Sequence, residues 1–288
     1  MTRNLLCACL AGLLLLSSGC KIQDLTPEQI GMISRSLTTT LKAARPISDE
    51  EEYYVGRAVA ARILTTNHLV NNKKLTDYVN LVGQSVAIHS EKPFTYGGYH
   101  FAVLDSSDIN AFACPGGIIF ITRGMVNAVK NEDELAAVLA HEVGHINHRD
   151  GISAISQSRW TEALTVIGTD AAKTYGSQDV AKLAGLFEGS IDDVFKTLVV
   201  NGYGRSQEYA ADQASLHYLA ATGYEPRALK DFLDRIVKQN KGAEGGIMKT
   251  HPATSDRIEN VLTNMPEQKG DPALVQLRNR RFAAAVGK

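Results

Sequence analysis

Two histidines placed one helical turn apart, His141 and His145, are the feature that most constrains how this chain folds. They lie in a segment whose apolar residues repeat at helical spacing, and Asn131 with Glu134 predicts a capping box at its start. Four steps of about 100° return the second imidazole to within roughly 40° of the first. Both rings therefore face one side of a helix that should be buried, where a shared metal ion satisfies them.

A glutamate between the two histidines indicates the chemistry of such a site. Glu142 is displaced by about 100° from His141, so its carboxylate reaches a water on the metal without being a ligand. Metal-assisted hydrolysis requires this separation between ligands and general base. The alternative is a solvated helix face that carries His and Glu by coincidence.

A catalytic zinc site needs a third protein ligand and one open position. His148 stands about 10 Å along the helix axis from His141, too far to join the same ion. Gly151 occupies the position of the third histidine of metzincins, which excludes that class. We expect Glu208 to be the ligand and Asp212, four residues later on the same helix face, to orient an imidazole. A solvated acidic face is the alternative for this pair.

The first nineteen residues predict a secretory signal, with Arg3 before an apolar run from Leu5 to Leu16. This run is about a dozen residues, well short of the roughly 20 that span a bilayer. The segment Leu16-Ser-Ser-Gly-Cys20 resembles a bacterial lipobox, which implies a lipid on Cys20 and a membrane anchor. Lys21 then favours the inner face of an outer membrane over the inner membrane. A cleaved, unlipidated secreted protein is the alternative.

Charge and local signals suggest the domain organisation. Thirty basic residues against thirty-one acidic ones, without a basic stripe, argue against a nucleic-acid partner. Residues 20–47 are expected to form a tether, residues 48–265 the catalytic domain, and residues 266–288 a C-terminal tail. Arg278, Arg280 and Arg281 of this tail are expected to form a solvated face. No internal repeat of a helical-array type is present in the sequence.

Three short stretches before the metal helix predict a small antiparallel sheet in a predominantly helical α+β fold. They are residues 99–104, 110–114 and 118–122, in which apolar residues alternate or form short runs. We expect Asn110, Ala111, Phe112 and Ala113 to bind an extended peptide by edge pairing, with ordinary sheet packing as the alternative. Cys114 is expected to be a small buried apolar residue.

These motifs together resemble a known enzyme family. His141 to His145, Glu208-x-x-Ala-Asp212, Asn110-Ala-Phe-Ala and His251-Pro252 with a later Arg257 resemble the gluzincin zinc peptidases of metallopeptidase family forty-eight. The similarity covers most of residues 49–265. The lack of multiple membrane spans and of helical repeats favours the periplasmic lipoprotein branch related to the beta-barrel assembly-enhancing protease.

The resemblance implies a zincin-like fold and one Zn²⁺ ion per chain, held by His141, His145 and Glu208. It implies an endopeptidase of the bacterial periplasm that acts on unfolded or misassembled envelope polypeptides. His251 is expected to stabilise the developing oxyanion, or to bind the zinc at rest and block the water site; a histidine that only starts a helix is the third interpretation. A peptide-binding or chaperone-like module with little hydrolysis is the alternative function.

Overall fold

The computed structural model of the chain describes residues 46–155, 188–239, 247–252, 255–267 and 271–287. The predicted signal, most of the tether and Cys20 lie outside these residues. Within the described part, no helix combines the length and the hydropathy needed to cross a bilayer. The elements are α1 (Asp49–Thr66), α2 (Lys73–Ala87), β1 (His100–Leu104), β2 (Ala111–Cys114), β3 (Ile118–Thr122), α3 (Arg123–Ala128), α4 (Glu132–Asn147), α5 (Asp150–Ser153), α6 (Glu188–Lys196), α7 (Arg205–Thr222), α8 (Arg227–Gln239), α9 (Ile247–Thr250), α10 (Ser255–Thr263) and α11 (Pro272–Val286).

Side-chain caps start α1 and α4, and the predicted cap of α4 has one change of partner. Ser48 and Glu51 form a reciprocal capping box at the start of α1. At α4 the Asn131 side chain accepts a hydrogen bond from the Glu134 amide at 2.9 Å. The Glu134 carboxylate accepts from the Lys130 amide, at 2.8 Å, instead of returning to Asn131. Both helices thus begin where local side-chain chemistry satisfies their first amide groups.

A three-stranded sheet precedes the metal helix, which confirms the predicted α+β class. Its strand order is β1-β3-β2, so the sheet is mixed rather than wholly antiparallel. A short turn at Pro115–Gly117 joins β2 to β3 as an antiparallel pair, with Phe112 opposite Phe120. Strand β3 then pairs in parallel with β1. Alternation along a strand reports which face is buried and not which strand lies beside it, so the sequence did not reveal this order.

Helix α4 lies at the centre of the fold. Every residue from Glu132 to Ile146 is buried, including both metal-helix histidines and Glu142. Helices α2, α7 and α8 pack around it on different sides. A second apolar cluster, lined by Val55, Phe112 and Val194 among others, lies between α1, the sheet and α6. The polar groups of α4 are thus surrounded by protein and need partners within it.

The C-terminal segment is a helix on the core, which corrects the expectation of a wholly solvated basic face. Phe282 of α11 is buried, and Arg278 is only 6% exposed. The Arg278 guanidinium lies 3.0 Å from the Asp133 carboxylate, and Arg281 Nε donates to Glu132 at 2.7 Å. Arg280 and Arg281 are exposed as expected, although Arg281 also pairs with Glu132. The expectation was wrong for Arg278 because the acidic first turn of α4, distant in sequence, attracts it.

Candidate metal centre

The imidazoles of His141 and His145 converge as the helical spacing predicts. Their Nε2 atoms are 3.1 Å apart, and the two side chains are buried. The ring planes are nearly perpendicular. Two aromatic nitrogens in this position form one edge of a cation site.

Glu208 approaches the same point from α7. Its Oε2 lies 3.5 Å from Nε2 of His141 and its Oε1 lies 3.5 Å from Nε2 of His145. The approach depends on Gly144, because a Cβ there would lie only 3.1 Å from the Cα of Ala211 on α7. The middle residue of the histidine motif thus allows the two helices to pack closely enough for a shared ligand site.

His251, just after α9, joins this group. Its Nδ1 lies 2.9 Å from Glu208 Oε1 and 3.3 Å from His141 Nε2. One ligand atom from each of His141, His145, Glu208 and His251 falls within 4.8 Å of all the others. The His251 Nε2 is 3.7 Å from Glu142 Oε1, so the ring borders both the ligands and the expected general base.

Asp212 and Arg257 support the first imidazole. Asp212 Oδ1 lies 2.9 Å from His141 Nδ1, the nitrogen opposite the ligand atom. Arg257, only 3% exposed, donates to both oxygens of Asp212 at 2.7 Å and lies 2.5 Å from Glu208 Oε2. A single buried guanidinium therefore holds the expected ligand and the expected orienting carboxylate together.

Asp150 and Tyr203 also belong to this site, although the sequence analysis missed them. Asp150 Oδ2 accepts from His145 Nδ1 at 2.7 Å. The Tyr203 ring stacks on His145 with centroids 4.0 Å apart, and its hydroxyl has no hydrogen-bond partner among the described residues. Asp150 lies five positions after His145, a spacing that becomes informative only once the helix is known to end before it.

The electrostatics of the centre favour a cation. Burial lowers the pKa of the His141 imidazole, but hydrogen bonds that the ring donates to Asp212 and Glu208 outweigh it and raise the pKa to about 10. Burial raises the pKa of Glu208, but His251 and Arg257 hold it well below its usual range. The carboxylates are therefore ionised at neutral pH, as metal ligands must be.

The donor set fits zinc. Two imidazoles and one carboxylate are typical ligands of a catalytic zinc ion, whereas calcium and magnesium prefer oxygen alone. Glu142, 1% exposed, has one oxygen without a hydrogen-bond partner in the described part of the chain. An ionised carboxylate is costly to leave in this position unless a ligand or water satisfies it. His141, His145 and Glu208 would hold the ion, with His251 close enough to be a fourth donor.

The expected substrate strand leads into this centre. Strand β2, carrying Ala111, Phe112 and Ala113, is an outer strand of the sheet and is buried. The Asn110 side chain accepts from the Ala111 amide at 2.9 Å and from the Thr250 hydroxyl at 3.1 Å. Asn110 thus ties the start of β2 to the residue before His251. Cys114 is fully buried, and burial raises the pKa of its thiol.

Comparison with known proteins places these residues in a family. The profile of Peptidase family M48 matches residues 73–264, more than half of the chain. The chain is 27% identical to the beta-barrel assembly-enhancing protease of Yersinia pestis over 263 residues, covering 89% of this chain and 52% of that protein. It is 25% identical to the Escherichia coli K12 protein of the same name over 240 residues, covering 81% of this chain and 47% of that protein.

A shorter relative is similar over more of its own length. The metalloprotease LoiP of Escherichia coli K12 is 26% identical over 193 residues, which cover 67% of this chain and 70% of LoiP. The chain spans about half the length of the beta-barrel assembly-enhancing proteases that it matches. The matched region includes both histidines, Glu208 and His251. The chain therefore belongs to peptidase family M48.

Proposed function

We propose that this chain is a zinc-dependent endopeptidase that cleaves unfolded or misassembled proteins of the bacterial cell envelope. The observation that carries the proposal is the convergence of His141, His145 and Glu208 beside the buried carboxylate of Glu142, one oxygen of which has no hydrogen-bond partner among the described residues. A site made only for structure has no need of an acid at this position.

In the proposed reaction, each polar group of the centre has one role. His141, His145 and Glu208 would hold a zinc ion, which would supply Lewis acidity and lower the pKa of a bound water. Glu142 takes the proton from the attacking water and delivers it to the leaving amine. A hydrogen-bond donor must also stabilise the negative charge that develops on the carbonyl oxygen.

His251 is our candidate for that donor. Its Nε2 lies 3.7 Å from Glu142 Oε1, so the ring borders the expected general base. Its Nδ1 lies 2.9 Å from Glu208 Oε1, within reach of the ligand group. The same position allows the ring to occupy a metal position at rest. Replacement by Ala separates these roles: loss of a donor lowers turnover at unchanged zinc content, whereas loss of a blocking ligand increases it.

An apolar cavity beside Glu142 supports a substrate with exposed apolar side chains. It is a cleft between α4, α8 and α9 that is partly open to solvent, with about 20 Å³ available to the centre of a water-sized sphere, and His251 lies at its border. Unfolded polypeptides expose such side chains, whereas folded proteins bury them. The apolar residues that line the cavity are Val138, Leu229, Phe232, Leu233, Ile236 and Ile247.

Strand β2 supports binding of the substrate in an extended conformation. Among the described residues it pairs with β3 alone, so its other edge is our candidate for main-chain hydrogen bonds to a substrate at residues 110–113. Such bonds hold a peptide with little regard to its sequence. The predicted lipid on Cys20 would keep the domain close to the membrane in which envelope proteins assemble.

The proposal is tested by digestion of a reduced, carboxymethylated protein with the purified chain. We expect cleavage that a chelator stops and that added Zn²⁺ restores. Glu142→Gln should abolish cleavage while retaining zinc, and Glu259→Gln, an exposed change of the same type, should leave cleavage unaltered. Undiminished cleavage by Glu142→Gln would overturn the assignment. Tight binding of the unfolded protein without cleavage by the native chain would instead support the chaperone-like alternative.

A further inference from the structure

The second imidazole of the centre has a carboxylate partner of its own. We propose that Asp150, held in place by Gln207, is a positioning residue for His145 and sets the affinity of the chain for zinc. The proposal concerns the metal site itself and holds whether or not the proposed proteolysis is correct.

The contact between the two residues has the geometry of an orienting hydrogen bond. His145 Nδ1 donates to Asp150 Oδ2 at 2.7 Å, and both side chains are buried. The bond keeps the proton on Nδ1 and leaves the Nε2 lone pair directed at Glu208, 3.5 Å away. Asp150 thus does for His145 what Asp212 does for His141.

A sharp turn after α4 brings Asp150 back toward the ring. Arg149 adopts the left-handed conformation, with φ of 57° and ψ of 35°, and α5 starts at the next residue. Two contacts hold this turn: Arg149 Nε lies 2.9 Å from Glu52 Oε2, and its Nη2 donates to the Ile47 carbonyl at 2.6 Å. Such a backbone conformation is uncommon for a residue with a side chain and persists where surrounding contacts maintain it.

Gln207 holds the other carboxylate oxygen. Its Nε2 donates to Asp150 Oδ1 at 3.1 Å and to Ser153 Oγ at 3.2 Å, while its Oε1 accepts from the Gly204 amide at 3.0 Å. Each oxygen of Asp150 therefore has its own donor. Because Gln207 immediately precedes Glu208, the same side chain links the Asp150–His145 pair to the start of the helix that supplies the third ligand.

The charge of Asp150 distinguishes it from Asp212. Arg257 makes a bidentate ion pair with Asp212 and offsets its negative charge. In the described part of the chain no lysine or arginine pairs with Asp150, and the amide of Gln207 is neutral. Asp150 consequently applies its full charge to His145, which raises the basicity of the ligand and strengthens its hold on a divalent cation.

The test compares Asp150→Asn and Asp150→Leu with Asp231→Asn, an exposed change on α8. Zinc dissociation constants of the full chain are measured by competition with a chelator. Asparagine still accepts the Nδ1 hydrogen bond but lacks the charge, whereas leucine removes both. We therefore expect the zinc dissociation constant to rise for Asp150→Asn and to rise further for Asp150→Leu, by about 10- to 100-fold relative to the unmodified chain. Gln207→Ala should weaken binding less, in the same direction, and Asp231→Asn should not change it.

Two further measurements separate positioning from a general loss of structure. The unfolding midpoint of each chelator-treated variant shows whether the fold is retained, and the visible absorption of the cobalt-substituted protein reports ligand geometry. We expect altered cobalt spectra for Asp150→Asn with an unfolding midpoint close to that of the unmodified chain. Unchanged zinc affinity in both Asp150 variants, or a fall matched by equal loss of stability in every variant, would overturn the proposal.

Discussion

Arg257 donates to both carboxylate oxygens of Asp212 at 2.7 Å, and Asp212 in turn lies 2.9 Å from His141. The same guanidinium contacts Glu208, so one buried cation balances two buried carboxylates. Helix α10, which carries Arg257, is thereby connected to the metal helix through side chains and not through the chain order. The stability of the protein and its zinc affinity should depend together on this residue.

Replacing Arg257 by Ala should destabilise the chelator-treated protein by about 3–5 kcal/mol, because Asp212 and Glu208 are left buried without a counter-charge. Added Zn²⁺ should recover part of this loss, since the ion supplies positive charge beside Glu208. Urea unfolding with and without zinc measures both effects. The matched control is Arg205→Ala, whose pair with Asp256 is exposed. Equal losses for the two variants would contradict the role of Arg257.

Removing the side chain of Arg281 should loosen α11 from the metal helix. Glu132 is fully buried and accepts hydrogen bonds from Tyr78 at 2.8 Å, from Tyr224 at 3.0 Å and from Arg281. The Arg281 side chain is partly exposed, so solvent screening limits the expected cost of Arg281→Met to about 1–2 kcal/mol.

Glu132→Ala should cost more than Arg281→Met, because two buried tyrosine hydroxyls lose their acceptor. Arg280→Met is the matched control, being the exposed neighbour of Arg281. Urea unfolding again provides the measurement. If Arg280→Met and Arg281→Met unfold alike, the ion pair with Glu132 contributes nothing to the docking of α11.

Gly56→Ala should destabilise the fold, although alanine favours a helix over glycine by about 1 kcal/mol. A Cβ at Gly56 would lie 1.7 Å from the Pro115 carbonyl oxygen in the turn between β2 and β3. We expect a net loss of about 1–3 kcal/mol from the forced shift. Ala61→Gly, at an exposed position of α1, should lower the free energy of unfolding only by the difference in helix propensity between alanine and glycine. A Gly56→Ala protein with a raised unfolding midpoint would show that this close approach is wrong.

Gly56→Ala should also lower the rate at which the chain cleaves its substrate, because the shifted turn carries the end of β2. The fall should be larger than the fraction of unfolded variant accounts for. The measurement is the rate of cleavage under conditions in which the variant is fully folded. An unchanged rate would argue against substrate binding along residues 110–113.

The Cys114 thiol should be inert in the folded protein at neutral and mildly alkaline pH. The residue is fully buried, and burial raises the pKa of its thiol above the ordinary value of 9.0. Because the folded-state pKa exceeds the unfolded-state pKa, the thiol stabilises the fold fully below about pH 9 and loses this contribution as the pH rises further. Iodoacetamide should label Cys114 only after unfolding in urea; rapid labelling of the native protein at pH 8 would contradict its burial.

Local patterns predicted the parts of the site that depend on a single helix. The spacing of His141 and His145 follows from 3.6 residues per turn, and the Asn131 cap follows from the free amides at a helix start. Glu208 could be ranked above His148 because helix geometry alone places His148 too far from His141. The tether and Cys20 lie outside the described residues, so the lipid anchor stays a prediction.

The partners of these groups were decided by tertiary packing. Asp150 reaches His145 only because Arg149 adopts a left-handed turn, and Arg278 is buried only because α11 docks on the acidic start of α4. The sequence by itself determined which side chains share a helix face, since backbone geometry over a few residues dictates that. Contacts between elements, including the parallel pairing of β1 with β3, join residues that are far apart in the sequence. Local periodicity does not predict such contacts, because it reports only which face of an element is buried.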